Sequence, residues 1–150
     1  MKTKSFLWIM LTAFVLSLSF SGCTARDSDE DDETYATRDY LIGIGKWHTT
    51  FVKLDGEWVN PYEHNLNFML EFFNKKNDKW KVKVWDYFNG GEEVFNEGTY
   101  TVDKNKVEVT VDGGLFMRMD VTMKKDREMG ATVTFVKYNK TLDVKMERTW

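Results

Sequence analysis

Residues 66–90 read LNFMLEFFNKKNDKWKVKVWDYFNG, with apolar and polar residues alternating on both sides of a short polar gap. One phase is apolar throughout on each side: Leu66, Phe68, Leu70 and Phe72 before the gap, and Trp80, Val82 and Val84 after it. Alternation with a period of two is typical of a strand with one buried face. Because short connections join neighbouring antiparallel strands, the stretch predicts two adjacent strands of an antiparallel sheet.

The same alternation of apolar and polar residues continues on both sides of residues 66–90 and predicts eight strands. They span about residues 45–54, 66–74, 80–88, 94–102, 107–112, 115–123, 131–138 and 142–149. Asn89-Gly90-Gly91 and Asp112-Gly113-Gly114 supply turn residues that tolerate positive φ. Eight strands in series favour an all-β, antiparallel up-and-down barrel, because closure removes unpaired strand edges. A two-sheet sandwich is the rival fold; it needs long crossovers, for which only residues 55–65 would serve.

The interior of such a barrel either is filled by side chains or holds one small ligand. A large aromatic set is predicted to point inward and favours a filled interior: Trp47, Phe51, Phe68, Phe72, Trp80, Tyr100 and Phe135. The sixth strand favours the opposite, because Met117, Met119 and Met123 share its inward phase and methionine repacks around varied apolar shapes. The alternative, which we favour, is that these methionines fill gaps in the core.

The longest connection, residues 55–65, carries Trp58, Pro61, Tyr62 and His64. Aromatic side chains in an exposed loop have apolar area to bury against something. We therefore expect a ligand-binding site at the barrel mouth, formed by Trp58, Tyr62, His64, Tyr100, Met117 and Met119. The alternative is that Trp58 and Tyr62 fold back and seal the barrel.

Several aromatic residues are predicted to face outward, out of phase with the core: Phe73, Trp85, Tyr87, Phe95 and Tyr138. Phe73, Trp85 and Tyr87 lie on adjacent predicted strands. Either the N-terminal residues Tyr35, Tyr40, Leu41 and Ile42 cover them, or they form an exposed patch for a protein or a sugar ring. A shift of one residue in strand phase would exchange inside for outside.

The first 22 residues have the parts of a secretory signal. Lys2 and Lys4 precede an apolar run from Phe6 to Phe20, which is too short for a membrane span of about 20 apolar residues. Leu18-Ser19-Phe20-Ser21-Gly22-Cys23 resembles the lipobox of bacterial lipoproteins. That resemblance implies that Cys23 becomes the first residue, carries lipid and anchors the chain to the outer membrane. The alternative is a plain signal peptide with a chance cysteine; Cys23 is the only cysteine, so no intrachain disulfide can form.

Charge divides the rest of the chain into a tether and a domain. Residues 24–34 carry six acidic residues against Arg26, which predicts a disordered segment that acts as a spacer or as a surface-export signal. The predicted organisation is a signal peptide at 1–22, an acidic flexible tether at 23–40 and a barrel domain at 41–150. Residues 41–150 hold 17 basic and 17 acidic residues, so no electrostatic footprint for nucleic acid is expected.

The barrel pattern resembles the lipocalin family, in the form of small lipocalin-like domains on bacterial lipoproteins. The resemblance rests on Gly45-Lys46-Trp47, which matches the family's G-x-W at the first strand, on the eight-strand meander, and on Arg148 in the last strand. It implies a small apolar ligand and a lid formed by the 55–65 connection. The spacing predicts that Trp47 plugs the closed end and that Arg148 covers its ring through a cation–π contact.

Enzymatic chemistry finds little support in the residue pattern. The chain has two histidines, His48 and His64, and no zinc-protease, P-loop or nucleophile-elbow motif. Asp86 and Glu97 lie in opposite phases of neighbouring strands, so they are predicted to face different sides. We therefore expect a non-enzyme without metal or cofactor: a lipid-anchored envelope protein that binds a small hydrophobic or amphipathic ligand. The alternative is a protein- or glycan-interaction domain that uses the outer aromatic face.

Overall fold

The computed structural model describes residues 30–43 and 45–149. The predicted signal peptide, the lipidation site at Cys23 and tether residues 24–29 lie outside the described residues. The described elements are one α-helix, one 3-10 helix and nine strands. They are α1 (Asp32–Leu41), β1 (Lys46–Leu54), β2 (Glu57–Val59), the 3-10 helix Pro61–His64, β3 (Phe68–Lys76), β4 (Lys79–Asn89), β5 (Glu92–Asp103), β6 (Lys106–Val111), β7 (Gly114–Lys124), β8 (Glu128–Phe135) and β9 (Lys140–Thr149).

The strands form one antiparallel sheet in the order β2-β1-β3-β4-β5-β6-β7-β8-β9, and β9 pairs back with β1. That pairing closes the sheet into a barrel of eight strands. The predicted eight-stranded up-and-down barrel is therefore confirmed, and the two-sheet sandwich is excluded. Strand β2 is the one strand that the period did not predict; it lies inside the 55–65 connection and pairs with the end of β1.

The barrel interior is filled by side chains of the predicted inward phase. Trp47, Phe68, Phe72, Trp80, Met117, Met119, Phe135 and Met146 are all buried. Phe51 departs from the prediction, because the β1–β9 register shifts between Thr49 and Phe51. This bulge reverses the phase of β1, so Val52 takes the inward position and Phe51 is 46% exposed on the outer wall.

Helix α1 occupies part of the predicted tether, since it begins at Asp32. Asp31 caps the helix, because its side chain accepts a hydrogen bond from the Thr34 amide at 2.7 Å. The helix then packs against the barrel: the Lys104 amide donates to the Thr34 hydroxyl at 2.7 Å, and Leu41 is buried. Residues 32–40 are thus ordered structure, in contrast to the predicted flexible segment.

Helix α1 and the loops define the two ends of the barrel. The helix end carries α1 together with the turns at 77–78, 104–105 and 125–127. The loop end carries the connections at 55–67, 90–91, 112–113 and 136–139, as an up-and-down order requires. Tyr40, Leu41 and Ile42 pack at the helix end: the Tyr40 ring lies against Trp47, Leu41 is buried, and Ile42 forms a bridge to Phe72.

The helix end also contains the predicted pair of Trp47 and Arg148. Trp47 is 1% exposed, and the guanidinium of Arg148 lies over its ring. The predicted cation–π contact is therefore present. Gly45 adopts a φ of +102° just before β1, and a side chain at Gly43 would collide with the Arg148 guanidinium. These two glycines let the chain pass from α1 into β1 against that guanidinium.

Candidate functional site

Three of the predicted ligand-binding residues lie in the packed interior. Met117 is fully buried, and Met119 and Tyr100 are each 2% exposed. The Tyr100 hydroxyl donates to the carbonyl of Phe73 at 3.1 Å, and burial raises its pKa. These three side chains therefore belong to the core and not to the predicted mouth, and the two grooves described below lie on the outer wall.

The connection after β2 adopts a conformation that its polar residues dictate. Asn60 caps the 3-10 helix by accepting a hydrogen bond from the Tyr62 amide at 3.0 Å, and Pro61 suits the first helical turn. Asn65 ends the helix in the left-handed region with a φ of +53°. This geometry leaves Tyr62 58% exposed at the edge of the barrel wall.

A groove of about 350 Å³ lies between this connection and the wall. We call it the Tyr62 groove; its lining residues are His48, Tyr62, Asn65, Asn67, Met69, Tyr87 and Gly91. Gly91 has a φ of +87°, and a Cβ there would lie 3.1 Å from the Asn65 side-chain oxygen. Glycine at this position therefore keeps the rim of the groove open.

The groove exists because β1 and β3 separate toward the loop end. Their backbone pairing is confined to Trp47 with Leu70 and His48 with Met69. The Thr49 hydroxyl then replaces the next backbone pair: it accepts from the Phe68 amide at 3.0 Å and donates to the Phe68 carbonyl at 3.2 Å. Beyond that point β1 pairs with β2 instead.

Two titratable side chains of the Tyr62 groove, His48 and Tyr87, have pKa values shifted in the direction that favours their neutral forms. Burial, aided by the nearby Lys46 ammonium, lowers the pKa of His48 below its usual value. Burial and the hydrogen bond to Glu93 raise the pKa of Tyr87 to about 12. The groove therefore offers an imidazole, phenol groups and amides around the apolar Met69, which suits an uncharged or weakly polar ligand.

The outer wall next to the groove carries a row of direct cross-strand neighbours. His48 pairs with Met69, Met69 with Trp85, and Trp85 with Phe95. We call these four residues the outer row. The Trp85 and Phe95 rings lie 5.3 Å apart, and Phe95 is 48% exposed. The predicted outward phase of Trp85, Tyr87 and Phe95 is confirmed.

Phe73 does not join this surface, although Phe73, Trp85 and Tyr87 were predicted to form one patch. The ammonium of Lys83 lies 5.2 Å from the Phe73 ring centre, and Lys83 pairs with Glu71 across the strands. This charged pair separates Phe73 from Trp85. The outer aromatic surface is instead continuous with the Tyr62 groove through Met69 and Tyr87.

Trp58 is also displaced from the predicted mouth. It is 41% exposed and lines a second groove, of about 330 Å³, on the outer wall formed by β7, β8 and β9. The alternative that Trp58 and Tyr62 seal the barrel is wrong, because both rings lie outside the core. His64, the remaining residue of the predicted site, is exposed in the 3-10 helix and lines neither groove.

A buried acid at the loop end was missed by sequence reasoning. Asp86 is fully buried, and the Tyr138 hydroxyl lies 3.2 Å from each of its carboxylate oxygens. Tyr138 was predicted to face outward, but its ring packs against Phe88 and Phe135. Asp86 points inward while Glu97 is exposed, so the two acids face different sides as predicted.

The two grooves and the outer row lie on the outer wall of the barrel. No group of three metal-ligating side chains occurs within residues 30–43 and 45–149. In the same part of the chain, no helix is both long and apolar enough to cross a bilayer.

Three groove residues had a signal in the sequence. Met69 is an apolar residue in the outward phase of its strand, and Asn65 and Gly91 are residues that accept positive φ. These residues come together only because β1 separates from β3, and no local sequence pattern predicts that separation. Comparison with protein-family models gives no match for this chain, and comparison with curated protein sequences gives none either.

Proposed function

We propose that this protein is a lipid-anchored, non-enzymatic envelope protein that binds a small hydrophobic or amphipathic ligand in the Tyr62 groove. The observation that carries the proposal is the groove itself, which combines the volume of a small-ligand site with an apolar floor and a few polar groups. Met69 supplies the floor, and Tyr62 and Tyr87 supply aromatic walls. The filled interior supports the outer wall, rather than the lumen, as the location.

The anchor in this proposal is lipid on Cys23, within the lipobox-like stretch that precedes the acidic segment. One acyl chain binds membranes only marginally, so stable attachment needs two or more. Because α1 lies at the helix end, an anchor that precedes α1 would attach the domain at that end. The Tyr62 groove, toward the loop end, would then face away from the membrane and remain accessible to ligand.

Native mass spectrometry of the full-length protein in detergent, after incubation with an envelope lipid extract, tests the ligand proposal. We expect a discrete added mass that disappears in Met69→Trp, which fills the groove floor. Met119→Leu is the matched control, because it changes a methionine of similar volume in the packed interior. Loss of the adduct in Met119→Leu with retention in Met69→Trp would place the ligand in the lumen, and absence of any adduct on the unmodified protein would refute the proposal.

The anchor is tested separately by the mass of the mature N-terminus and by membrane partition. We expect the protein without substitutions to carry the mass of acyl chains on Cys23 and to sediment with membranes. Cys23→Ser should abolish both. Recovery of an unacylated mature protein that starts elsewhere would favour the plain signal peptide.

The outer row supports a second candidate function, docking of a protein or a glycan. Its specific support is that three apolar side chains, Met69, Trp85 and Phe95, are direct neighbours on three adjacent strands. Crosslinking in intact envelopes should capture a partner that is lost in Trp85→Ala. Phe73→Ala is the control, since Lys83 separates Phe73 from these three side chains; equal capture by both variants would argue against docking at the outer row.

A further inference from the structure

The groove beside Trp58 has a different chemistry from the Tyr62 groove. We call it the Trp58 groove; its lining includes Lys53, Trp58, Met123, Thr132, Asp143 and Lys145. Asp143 and Lys145 alternate with the buried Leu142, Val144 and Met146, so they project from the outer wall. The bulge of β1 and the short strand β2 bring Trp58 to the edge of this surface.

The floor of the Trp58 groove is low because Gly130 has no side chain and because a bulge displaces the residues next to it. A Cβ at Gly130 would lie 3.2 Å from both Met123 Cβ and Thr122 Oγ1, so the glycine leaves the space next to these two residues open. The β7–β8 register shifts between Val121 and Met123, which places Thr122 at a bulge beside Gly130. The depression is therefore encoded in the backbone of two strands.

Two ammonium groups stand at the aromatic wall. Lys145 Nζ lies 4.4 Å from the Trp58 ring centre, and Lys53 Nζ lies 5.8 Å from it. In the described part of the chain, neither lysine forms a salt bridge to a carboxylate. The carboxylate in the groove, Asp143, accepts a hydrogen bond from the Thr132 hydroxyl at 2.7 Å.

We propose that the Trp58 groove binds one acidic sugar residue, a hexuronate. The sugar ring stacks on the Trp58 indole and displaces from it the Lys145 ammonium, which turns to the sugar carboxylate. Lys53 and Lys145 bind the sugar carboxylate through charge-assisted hydrogen bonds. The Asp143 carboxylate and the Thr132 hydroxyl oxygen accept hydrogen bonds from the ring hydroxyls.

The mixed charge of the groove favours a sugar acid over a simple anion. A small anion near the lysines would also meet the like charge of Asp143 and would gain no stacking contact with the Trp58 ring. A hexuronate separates its carboxylate from its hydroxyl edge, so each end meets a complementary group. A purely apolar chain is also disfavoured, because it would remove water from the Asp143 carboxylate and leave it only the hydrogen bond from Thr132.

Ligand-observed NMR with three probes tests this proposal on the full-length protein in a polyoxyethylene detergent that contains no sugar. The probes are methyl glucuronide, methyl glucoside and acetate. We expect methyl glucuronide to bind about tenfold more tightly than methyl glucoside, because only the first carries the carboxylate. Acetate should not compete measurably, because it lacks the ring that stacks on Trp58.

Variants then assign the contacts. Lys145→Gln should weaken methyl glucuronide about tenfold and remove most of the preference over methyl glucoside. Trp58→Ala should weaken both sugars. Lys140→Gln is the matched control, because it makes the same charge change on the same strand, while Lys140 lies over Phe88 at the loop end and outside the groove.

Three results would overturn the proposal: no binding of methyl glucuronide, equal affinity for the two sugars, or full affinity in Trp58→Ala. Trp58 is 41% exposed, so its removal should leave the melting temperature nearly unchanged. Lys145→Gln gives an independent answer if Trp58→Ala does unfold. The loss of a lipid adduct in Met69→Trp tests only the Tyr62 groove, and sugar binding tests only the Trp58 groove. Either proposal can therefore fail without the other.

Discussion

The Arg148 guanidinium carbon lies 4.4 Å from the centre of the Trp47 ring, and the two residues are direct partners in the β1–β9 pairing that closes the barrel. Both also bind the end of α1. The Trp47 indole donates to the Leu41 carbonyl at 3.0 Å, and Arg148 donates to the carbonyls of Tyr40 and Leu41. This cluster therefore joins the helix, the first barrel strand and the last one.

Replacement of Trp47 should destabilise the domain strongly. Trp47→Ala removes a large side chain from a closed site, and we expect a loss of about 3–5 kcal/mol in the free energy of unfolding. Urea denaturation followed by circular dichroism measures it. Trp85→Ala is the control on the outer wall, with an expected loss of about 1 kcal/mol or less. A urea denaturation curve unchanged by Trp47→Ala would contradict the burial of Trp47 in the core.

The strands were predictable because burial of one face of the sheet makes apolar and polar residues alternate along each strand wherever the strand pairing is regular. Leu66, Phe68, Leu70 and Phe72 keep one phase and are all buried. Phe51 was misplaced because a bulge shifts the phase without a local marker in the sequence. Helix α1 was missed because its first turn is acidic and looks like tether, although Asp31 and the acids of that turn suit a helix N-terminus.

The candidate sites were less predictable than the fold. Tyr62 and Trp58 were identified from exposed apolar area, which is a property of single residues, and both line grooves. Their neighbours depend on tertiary geometry: Met69 and Tyr87 reach Tyr62 because β1 leaves β3, and Lys145 reaches Trp58 because β2 folds onto β1. The methionines of β7 were ambiguous, since flexible apolar side chains suit both a ligand and a filled core.

The Thr49 hydroxyl should contribute measurably to the seam between β1 and β3. Thr49→Val keeps the shape and leaves the Phe68 amide and carbonyl without their partner, which should cost about 1–3 kcal/mol of unfolding free energy. Thr50→Val is the adjacent control, because its hydroxyl donates to the Lys145 carbonyl at an exposed position. Equal losses in the two variants, measured by urea denaturation, would contradict a special role for Thr49.

Gly98 marks a close approach of β5 and β6. A Cβ there would lie 2.1 Å from the Thr110 carbonyl oxygen, a backbone atom that cannot move alone. Gly98→Ala should therefore cost about 1–3 kcal/mol by forcing the strands apart. In Gly114→Ala the nearest atom lies 3.9 Å away, so thermal unfolding should barely change. If the two variants melted together, the predicted close approach would be refuted.

The buried carboxyl of Asp86 should make stability depend on pH. Burial raises its pKa above the usual value, against the smaller opposing effects of hydrogen bonds from Phe88 and Tyr138 and of the nearby Lys137. The folded state therefore holds the proton more tightly than the unfolded state. The stability that this proton provides is present below the unfolded pKa and is lost as pH rises through the folded pKa.

Asp86→Asn removes this titration while retaining an oxygen that can accept from the Tyr138 hydroxyl. We expect the stability of the variant relative to the unmodified protein to increase from pH 4 to pH 7, because only the unmodified protein must bury a charge at the higher pH. Urea denaturation of both proteins at several pH values measures that difference, in which the titration of the other carboxyls cancels. Glu97→Gln on the outer wall is the control and should show no such trend, since Glu97 is exposed. A difference between Asp86→Asn and the unmodified protein that stays constant with pH would show that the Asp86 carboxyl has the same proton affinity in the folded and unfolded chains.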